Sequence, residues 1–172
     1  MPRPTEDRRP LTSLLVSDFT IAGLAPILAS PSPSPALESV AAPFDQVVSV
    51  LLDGEHACWH PAPDVAVIWT RPESVIRSFA GVTAGEGVPL DQVLAEVDEF
   101  STLVQTAASR ARTVILPTWT WPSYDRGLGT LNLNPAHGPA YFLMRMNTRL
   151  VDRLAGLSNV HVLDAGRWVA AA

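Results

Sequence analysis

Short apolar runs recur along this chain, and their continuity restricts the fold more than any other feature. They are TSLLVS at 12–17, QVVSVLL at 46–52, DVAVIWT at 64–70, TVILPT at 113–118 and NVHVLDA at 159–165. A strand with one wet face alternates apolar and polar residues. VVSVLL, VAVIW and TVIL do not alternate, as expected of strands buried on both faces. Helical periodicity falls between the runs. Leu90, Val93, Leu94, Val97, Phe100, Leu103, Val104 and Ala107 recur three and four apart, which predicts a helix over 90–112. A second amphipathic helix is predicted over 139–156. A short one is predicted over 20–29, with Thr20 as its cap and Pro26 shortening or kinking it. Strands alternating with helices imply right-handed crossovers and a parallel sheet. The expected fold is a three-layer α/β/α sandwich with a mostly parallel five-stranded sheet, flavodoxin-like in plan.

Length and composition suit that plan. The chain has 172 residues, 47% of them apolar, enough for one domain with a real core. Residues 1–10 are polar and rich in Pro and Arg and read as a disordered tail, leaving 11–172 as a single domain. SPSPSPALES at 30–39 reads as a flexible surface connection within it.

Several function classes are disfavoured. The net charge of −5 argues against non-specific nucleic-acid binding. All 12 basic residues are arginine, which removes Schiff-base chemistry and the P-loop lysine and reads as the usage of a GC-rich genome. No apolar stretch approaches the roughly 20 residues of a membrane helix. No apolar signal region follows the N-terminus, and the single cysteine, Cys58, cannot form an internal disulfide. The expectation is a cytoplasmic protein that contacts neither membrane nor nucleic acid.

In an open parallel sheet, ligands sit beyond the carboxyl ends of the strands. Those ends are predicted at Ser17-Asp18-Phe19-Thr20, Asp53-Gly54, Thr70-Arg71, Pro117-Thr118-Trp119 and Asp164-Ala165-Gly166-Arg167. The first of them invites comparison with known catalytic turns. A dinucleotide fold needs glycines there, and SDFTIAG supplies one, too late. The haloacid-dehalogenase motif D-x-D-x-T matches Asp18 and Thr20 but puts Val16 at the nucleophile. The SGNH hydrolase motif G-D-S matches Ser17-Asp18-Phe19, with Phe at the nucleophile. Its closing D-x-x-H matches Asp164 through Arg167, with Arg at the base. A serine attacks only when a base takes its proton. The first loop therefore has the shape of an SGNH site without its usual relay.

The order of motifs resembles, more specifically, the N-terminal SGNH-like domain of FkbH-like proteins. LLVSDFTIAGLAPIL matches that family's opening strand and turn, and APDVAVIW at 62–69 its next strand. Asn147-Thr148-Arg149-Leu150 matches a helical N-x-x-L, and Val160-His161-Val162-Leu163-Asp164 its V-x-V-L-D. The resemblance spans about residues 12–168. It implies an SGNH-hydrolase-like fold and a part in loading a glyceryl or related acyl unit, drawn from 1,3-bisphosphoglycerate, onto an acyl carrier protein in polyketide biosynthesis. Full-length members carry a haloacid-dehalogenase-type domain, which this chain does not contain and to which magnesium would belong. No cofactor is expected in the present domain.

Candidate residues follow. Ser17 and Asp18 are the catalytic candidates. Asp18 is alternatively a loop-fixing or capping carboxylate. Thr20, Arg71, Thr118, Trp119, Arg126, Asn132, Asn134, Asp164 and Arg167 are candidates for binding substrate or carrier. Trp119, Trp121 and Tyr124 either wall a pocket for a pantetheine-like arm or roof the sheet. The other reading of Asp164 and Arg167 is a salt bridge between them. Asn147 is placed to hydrogen-bond the 119–135 loop, and His161 reads as structural. Cys58, between His56 and His60, reads as an activated thiol, a metal ligand or a plain loop cysteine beside Trp59, and no metal site is expected. His56, His60 and His137 are the alternative bases for a rearranged active site.

Overall fold

The computed structural model describes residues 10–30, 37–122 and 126–169. Its strands are β1 (Leu11–Ser17), β2 (Leu37–Ala41), β3 (Val65–Trp69), β4 (Thr113–Pro117) and β5 (Val160–Leu163). They form one sheet in the order β2-β1-β3-β4-β5, every neighbouring pair parallel. The helices are α1 (Leu24–Leu28), α2 (Val47–Leu52), α3 (Pro72–Val75), α4 (Arg77–Thr83), α5 (Leu90–Ala108), α6 (Pro139–Leu154) and α7 (Gly166–Val169). The α/β fold with five parallel strands is as expected.

The second strand is not where the apolar runs put it. VVSVLL forms α2. Val47, Val50 and Leu51 are buried while Val48 and Leu52 are 49% and 64% exposed, a helical and not an alternating pattern. Over six residues a buried helix and a buried strand have the same hydrophobic content, so neighbours decide. Here the apolar side of α2 lies against β1 and α5. The strand paired with β1 is instead LESVA, at the end of the segment read as a flexible connection. It is an edge strand, half-exposed, so it needs little apolar sequence. Asp53 accordingly caps the C-terminus of α2 and does not end a strand.

Other boundaries shift for local reasons. The first helix covers only Leu24–Leu28, its cap is Gly23, and Thr20 lies outside it. Pro26 sits in its first turn, where backbone N–H groups have no helical partner anyway, so no bond is lost. Helices α3 and α4, which lack a clear periodic stripe, were not anticipated. Helix α5 ends four residues earlier than expected, at Ala108.

The main core lies between the sheet and α2, α4, α5 and α6. Leu14, Val16, Ala66, Ile68, Val114 and Leu116 from the strands meet Val50, Phe79, Val97, Phe100, Val104, Phe142, Met146 and Leu150 from the helices. Each large apolar side chain buried this way contributes about 1.5–3 kcal/mol of transfer free energy. Strand β1 is buried on both faces from Ser13 to Ser17, as expected of a central strand. In β3, Ala66 and Ile68 are buried but Val65, Val67 and Trp69 only half so, and the expectation of two fully buried faces does not extend to it. Among the described residues no helix is long and apolar enough to cross a membrane.

Candidate ligand site at the carboxyl edge of the sheet

Parallel strands deliver their carboxyl ends to one edge. The chain leaves β1 toward β2 and leaves β3 toward β4, so the connections diverge between β1 and β3, where a sheet of this order opens a crevice. A cleft of about 390 Å³ lies there. Its walls include Phe19, Trp69, Trp121 and Pro122, and its polar groups include Thr118, Thr120 and Glu73.

Asp18 holds the floor of this edge together. Its side chain is 2% exposed and fully engaged. Oδ1 accepts the Arg71 backbone N–H at 2.9 Å, and Oδ2 accepts Arg71 Nε–H at 2.6 Å and the Ser74 hydroxyl at 2.5 Å. Arg71 Nη2 also donates to the Asp18 carbonyl at 3.3 Å. Arg71 is the residue that caps α3, so Asp18 serves that helix's first turn from across the sheet. This matches the loop-fixing reading of Asp18. Ser17 is buried, and its Oγ accepts the Phe19 N–H at 3.1 Å, closing a small turn that sets the direction of the Phe19 ring. Thr20 is exposed.

Phe19 stands edge-on to Trp69, with centroids 5.6 Å apart and planes at 86°. Trp69 meets Trp168 of α7 at 5.7 Å and 65°. Three aromatic rings thus run in a row behind the strand ends, in the favoured edge-to-face geometry. The SGNH nucleophile position is the first of them. The base position, Arg167, is exposed beside the last.

Trp119 turns inward and acts as a pillar. Its indole N–H donates to Thr70 Oγ1 at 3.1 Å and its ring packs 5.6 Å from Phe100. Asn147 of α6 grips its backbone from both sides: Oδ1 accepts the Trp119 N–H at 2.9 Å and Nδ2 donates to the Trp119 carbonyl at 2.8 Å. Trp121, two residues on, is the one that walls the cleft. Tyr124 lies outside the described residues.

The remaining candidates divide by what their side chains already do. Thr118 lines the cleft, and its Oγ1 accepts the Ala165 N–H at 3.0 Å, tying β4 to the end of β5. Asp164 Oδ1 accepts the Gly166 N–H at 3.1 Å, and no ion pair joins it to Arg167 among the described contacts. Asn132 Oδ1 accepts the Leu128 N–H and Asn134 Oδ1 the Ala136 N–H, so both amides brace their own loop. A Cβ at Gly138 would collide with the backbone of Asn132 and Asn134, which explains glycine at the entry to α6. Arg126 and His137 are exposed on the same loop, and His161 is exposed on β5.

Cys58 sits at the other end of the sheet. The neighbouring Trp59 lies under the Arg110 guanidinium, just ahead of β4, and donates its indole N–H to the Val50 carbonyl. His56 Nδ1 lies 3.0 Å from Cys58 Sγ, yet burial pushes the thiol upward, a backbone hydrogen bond lowers it less, and Asp53 raises it further. A protonated thiol distant from the cleft does not suit an activated nucleophile there. Among the described residues no three His, Cys, Asp or Glu side chains gather to hold a metal.

Sequence reasoning overlooked Trp69, Trp168, Glu73 and Ser74. Trp69 was visible as the last residue of a strand run, next to a predicted ligand edge. Ser74 belongs to a segment with no periodic signal, 56 residues from its partner Asp18.

No family model and no curated protein sequence matches the chain. Solved structures do match its fold. The N-terminal part of protein BF1531 from Bacteroides fragilis, containing a phosphatase domain and complexed with Mg, has a TM-score of 0.72 at 16% identity, over 93% of this chain and 42% of that one. The chain therefore spans less than half of that neighbour. Axe2, an acetylxylan esterase from Geobacillus stearothermophilus, has a TM-score of 0.53 at 14% identity, over 90% of this chain and 76% of that one. LAE5, an alpha/beta hydrolase enzyme from the metagenome of Lake Arreo, has a TM-score of 0.50 at 14% identity, over 93% and 81%. The fold is SGNH-hydrolase-like.

Proposed function

We propose that the chain is an SGNH-like domain of an FkbH-type system, that it seats a glyceryl or related acyl unit carried on an acyl carrier protein, and that it does not hydrolyse it. Phe19 carries the reading. At the position where an SGNH enzyme keeps its serine stands an aromatic ring, held edge-on against Trp69 and facing the cleft. Ser17, two residues before it, is buried and uses its oxygen on the Phe19 N–H. The position of the base is an arginine, which stays protonated and cannot take a proton.

The site's own groups suit holding better than cutting. Aromatic walls exclude water from an apolar or pantetheine-like arm, and the threonine hydroxyls and Glu73 give it polar contacts. Asp18 and Asn147 keep the walls in place by fixing the loops that bear Arg71 and Trp119. The acyl transfer itself would fall to a separate phosphatase-type domain, the source of any magnesium, and the system would work in the cytoplasm. The resemblance in motif order supports this assignment, as does the likeness in fold to a chain that contains a phosphatase domain.

The test is intact-protein mass after mixing the chain with 1,3-bisphosphoglycerate and, separately, with acyl-loaded carrier protein, while thioester loss is followed. The expected result is no adduct and no turnover, with loaded carrier retained on the immobilised chain. A covalent adduct on Ser17 or Cys58, or catalytic turnover, would overturn the reading.

A further inference from the structure

A second, smaller cavity of about 220 Å³ adjoins the first. It opens between the ends of β1 and β2, and its lining includes Ser17, Ile21, Ala41, Ala42 and Phe44. Phe19 borders this cavity and the main cleft alike. The strand order explains why. The small cavity lies on the β2 side of β1, the main cleft lies on the β3 side, and Phe19 leaves β1 between them. One aromatic side chain is therefore the partition between two compartments of different character. The main cleft carries hydroxyls and two charged groups, Glu73 and Arg71. The small cavity holds no charged group: it is walled by alanine methyls, an isoleucine and the ring of Phe44, which is 64% exposed and forms its outer rim, with the Ser17 and Thr20 hydroxyls beside them.

We infer that the two compartments form one bipartite site, in which the small cavity takes the short aliphatic end of a ligand whose polar portion lies in the main cleft, with Phe19 as the gate between them. The gate is held by one edge-to-face contact with Trp69 and by the Ser17 turn at its backbone. A change of side-chain rotamer that breaks only the ring contact would join the compartments, while the turn keeps the backbone in place. This deepens the proposed binding role and rests on it: the ligand class becomes an acyl group of several carbons, in preference to a bare glyceryl or acetyl unit.

The test is calorimetric titration of the whole chain with S-acetyl-, S-butanoyl- and S-hexanoyl-N-acetylcysteamine. Burial of added methylenes predicts that Kd tightens about three- to fourfold for each one. Ala41→Phe, at an exposed position that tolerates substitution, fills the small cavity and should flatten that series. Phe44→Ala, which removes the rim, should weaken its slope. Binding of all three probes with equal Kd would overturn the bipartite site while leaving the main cleft's role intact. A slope that survives Ala41→Phe unchanged would also overturn it, because the chain would then be held elsewhere. Binding of none of the probes would overturn the proposed function together with this inference.

Discussion

Asp18 shows how much structure a single carboxylate can tie together. It follows an apolar strand, where α/β enzymes keep reactive groups, yet each of its oxygens is occupied by a donor 53 or 56 residues away. Asp18→Ala would strand the Arg71 N–H and the Ser74 hydroxyl. Discounted for the half-exposed Arg71 side chain, the expected cost is roughly 2–3 kcal/mol, read as a lower urea midpoint at unchanged slope. Asn147 makes the complementary case from α6. Asn147→Ala removes both bonds to the Trp119 backbone and should cost about 1–3 kcal/mol. Asn147→Asp should be no better, because it keeps the acceptor for the Trp119 N–H but sets a carboxylate oxygen against the Trp119 carbonyl. A near-UV circular dichroism change accompanying either loss would tie it to the tryptophan. Both residues stood out in the sequence, Asp18 by its place after a strand as a catalytic or a loop-fixing carboxylate, and Asn147 by its place one turn from Leu143 and Leu150 as one that bonds a loop. Their partners did not, since a hydrogen bond between distant segments leaves no periodic trace.

At the scale of elements, the long helices and the central strands were legible because each repeats its signal often enough to outvote exceptions. Helix α5 presents buried Val93, Val97, Phe100 and Val104 along one face over 19 residues. Six-residue α2 has no such redundancy, and the edge strand β2 has almost no apolar signal to offer. The assignment of α2 has a direct check. In the strand buried on both faces that the run suggests, Leu51 and Leu52 would both be buried, whereas here Leu51 is and Leu52 is 64% exposed. Leu51→Ala should cost about 2–5 kcal/mol and Leu52→Ala stay within about 0.5 kcal/mol. Equal costs at the two positions would argue against the helix. Helices α5 and α6 are also joined at the surface, where Arg149 meets Asp98 through two 2.7 Å bonds and Arg153 reaches the same carboxylate at 3.3 Å. The Arg149 bond holds the Asp98 carboxyl below its usual value. A lowered folded value means that this contribution is present in full above the unfolded carboxylate range and is lost as pH falls through the folded value. Asp98→Asn should therefore reduce stability at pH 7 and narrow its difference from the parent protein in strong acid, measured by thermal unfolding across pH. High salt should shrink the effect, as for any exposed pair.

For the whole molecule, the distribution of charge matters more than its sum. The chain is acidic by 5 charges, and at its carboxyl edge exposed Arg126 and Arg167 stand among Asp164, Glu73 and the Asp18–Arg71 ion pair. An acidic partner docking there would find its positive contacts at individual exposed arginines, Arg167 foremost, and not in the edge as a whole. Arg167→Glu should slow association of a loaded carrier protein several-fold while changing its dissociation less, and added salt should abolish the difference, as surface plasmon resonance would record. The general location of this edge was legible once parallel strands were inferred, because topology alone sends ligands to the carboxyl ends. Which aromatic ring faces the cleft was not. Trp119 and Trp121 are two residues apart, and only the anchoring of one by Thr70, Phe100 and Asn147 leaves the other to form the wall.

The placement of the indoles also makes the molecule its own optical gauge. Of the 5 tryptophans, Trp69, Trp119, Trp121 and Trp168 lie at the carboxyl edge, and Trp59 alone is held at the other end under Arg110. Emission from the chain is therefore weighted toward the end where a ligand would arrive, with a single buried emitter remote from it. A spectrum that shifts while a remnant component keeps its wavelength would report an event at the cleft, and one that shifts as a whole would report unfolding, without any label being added.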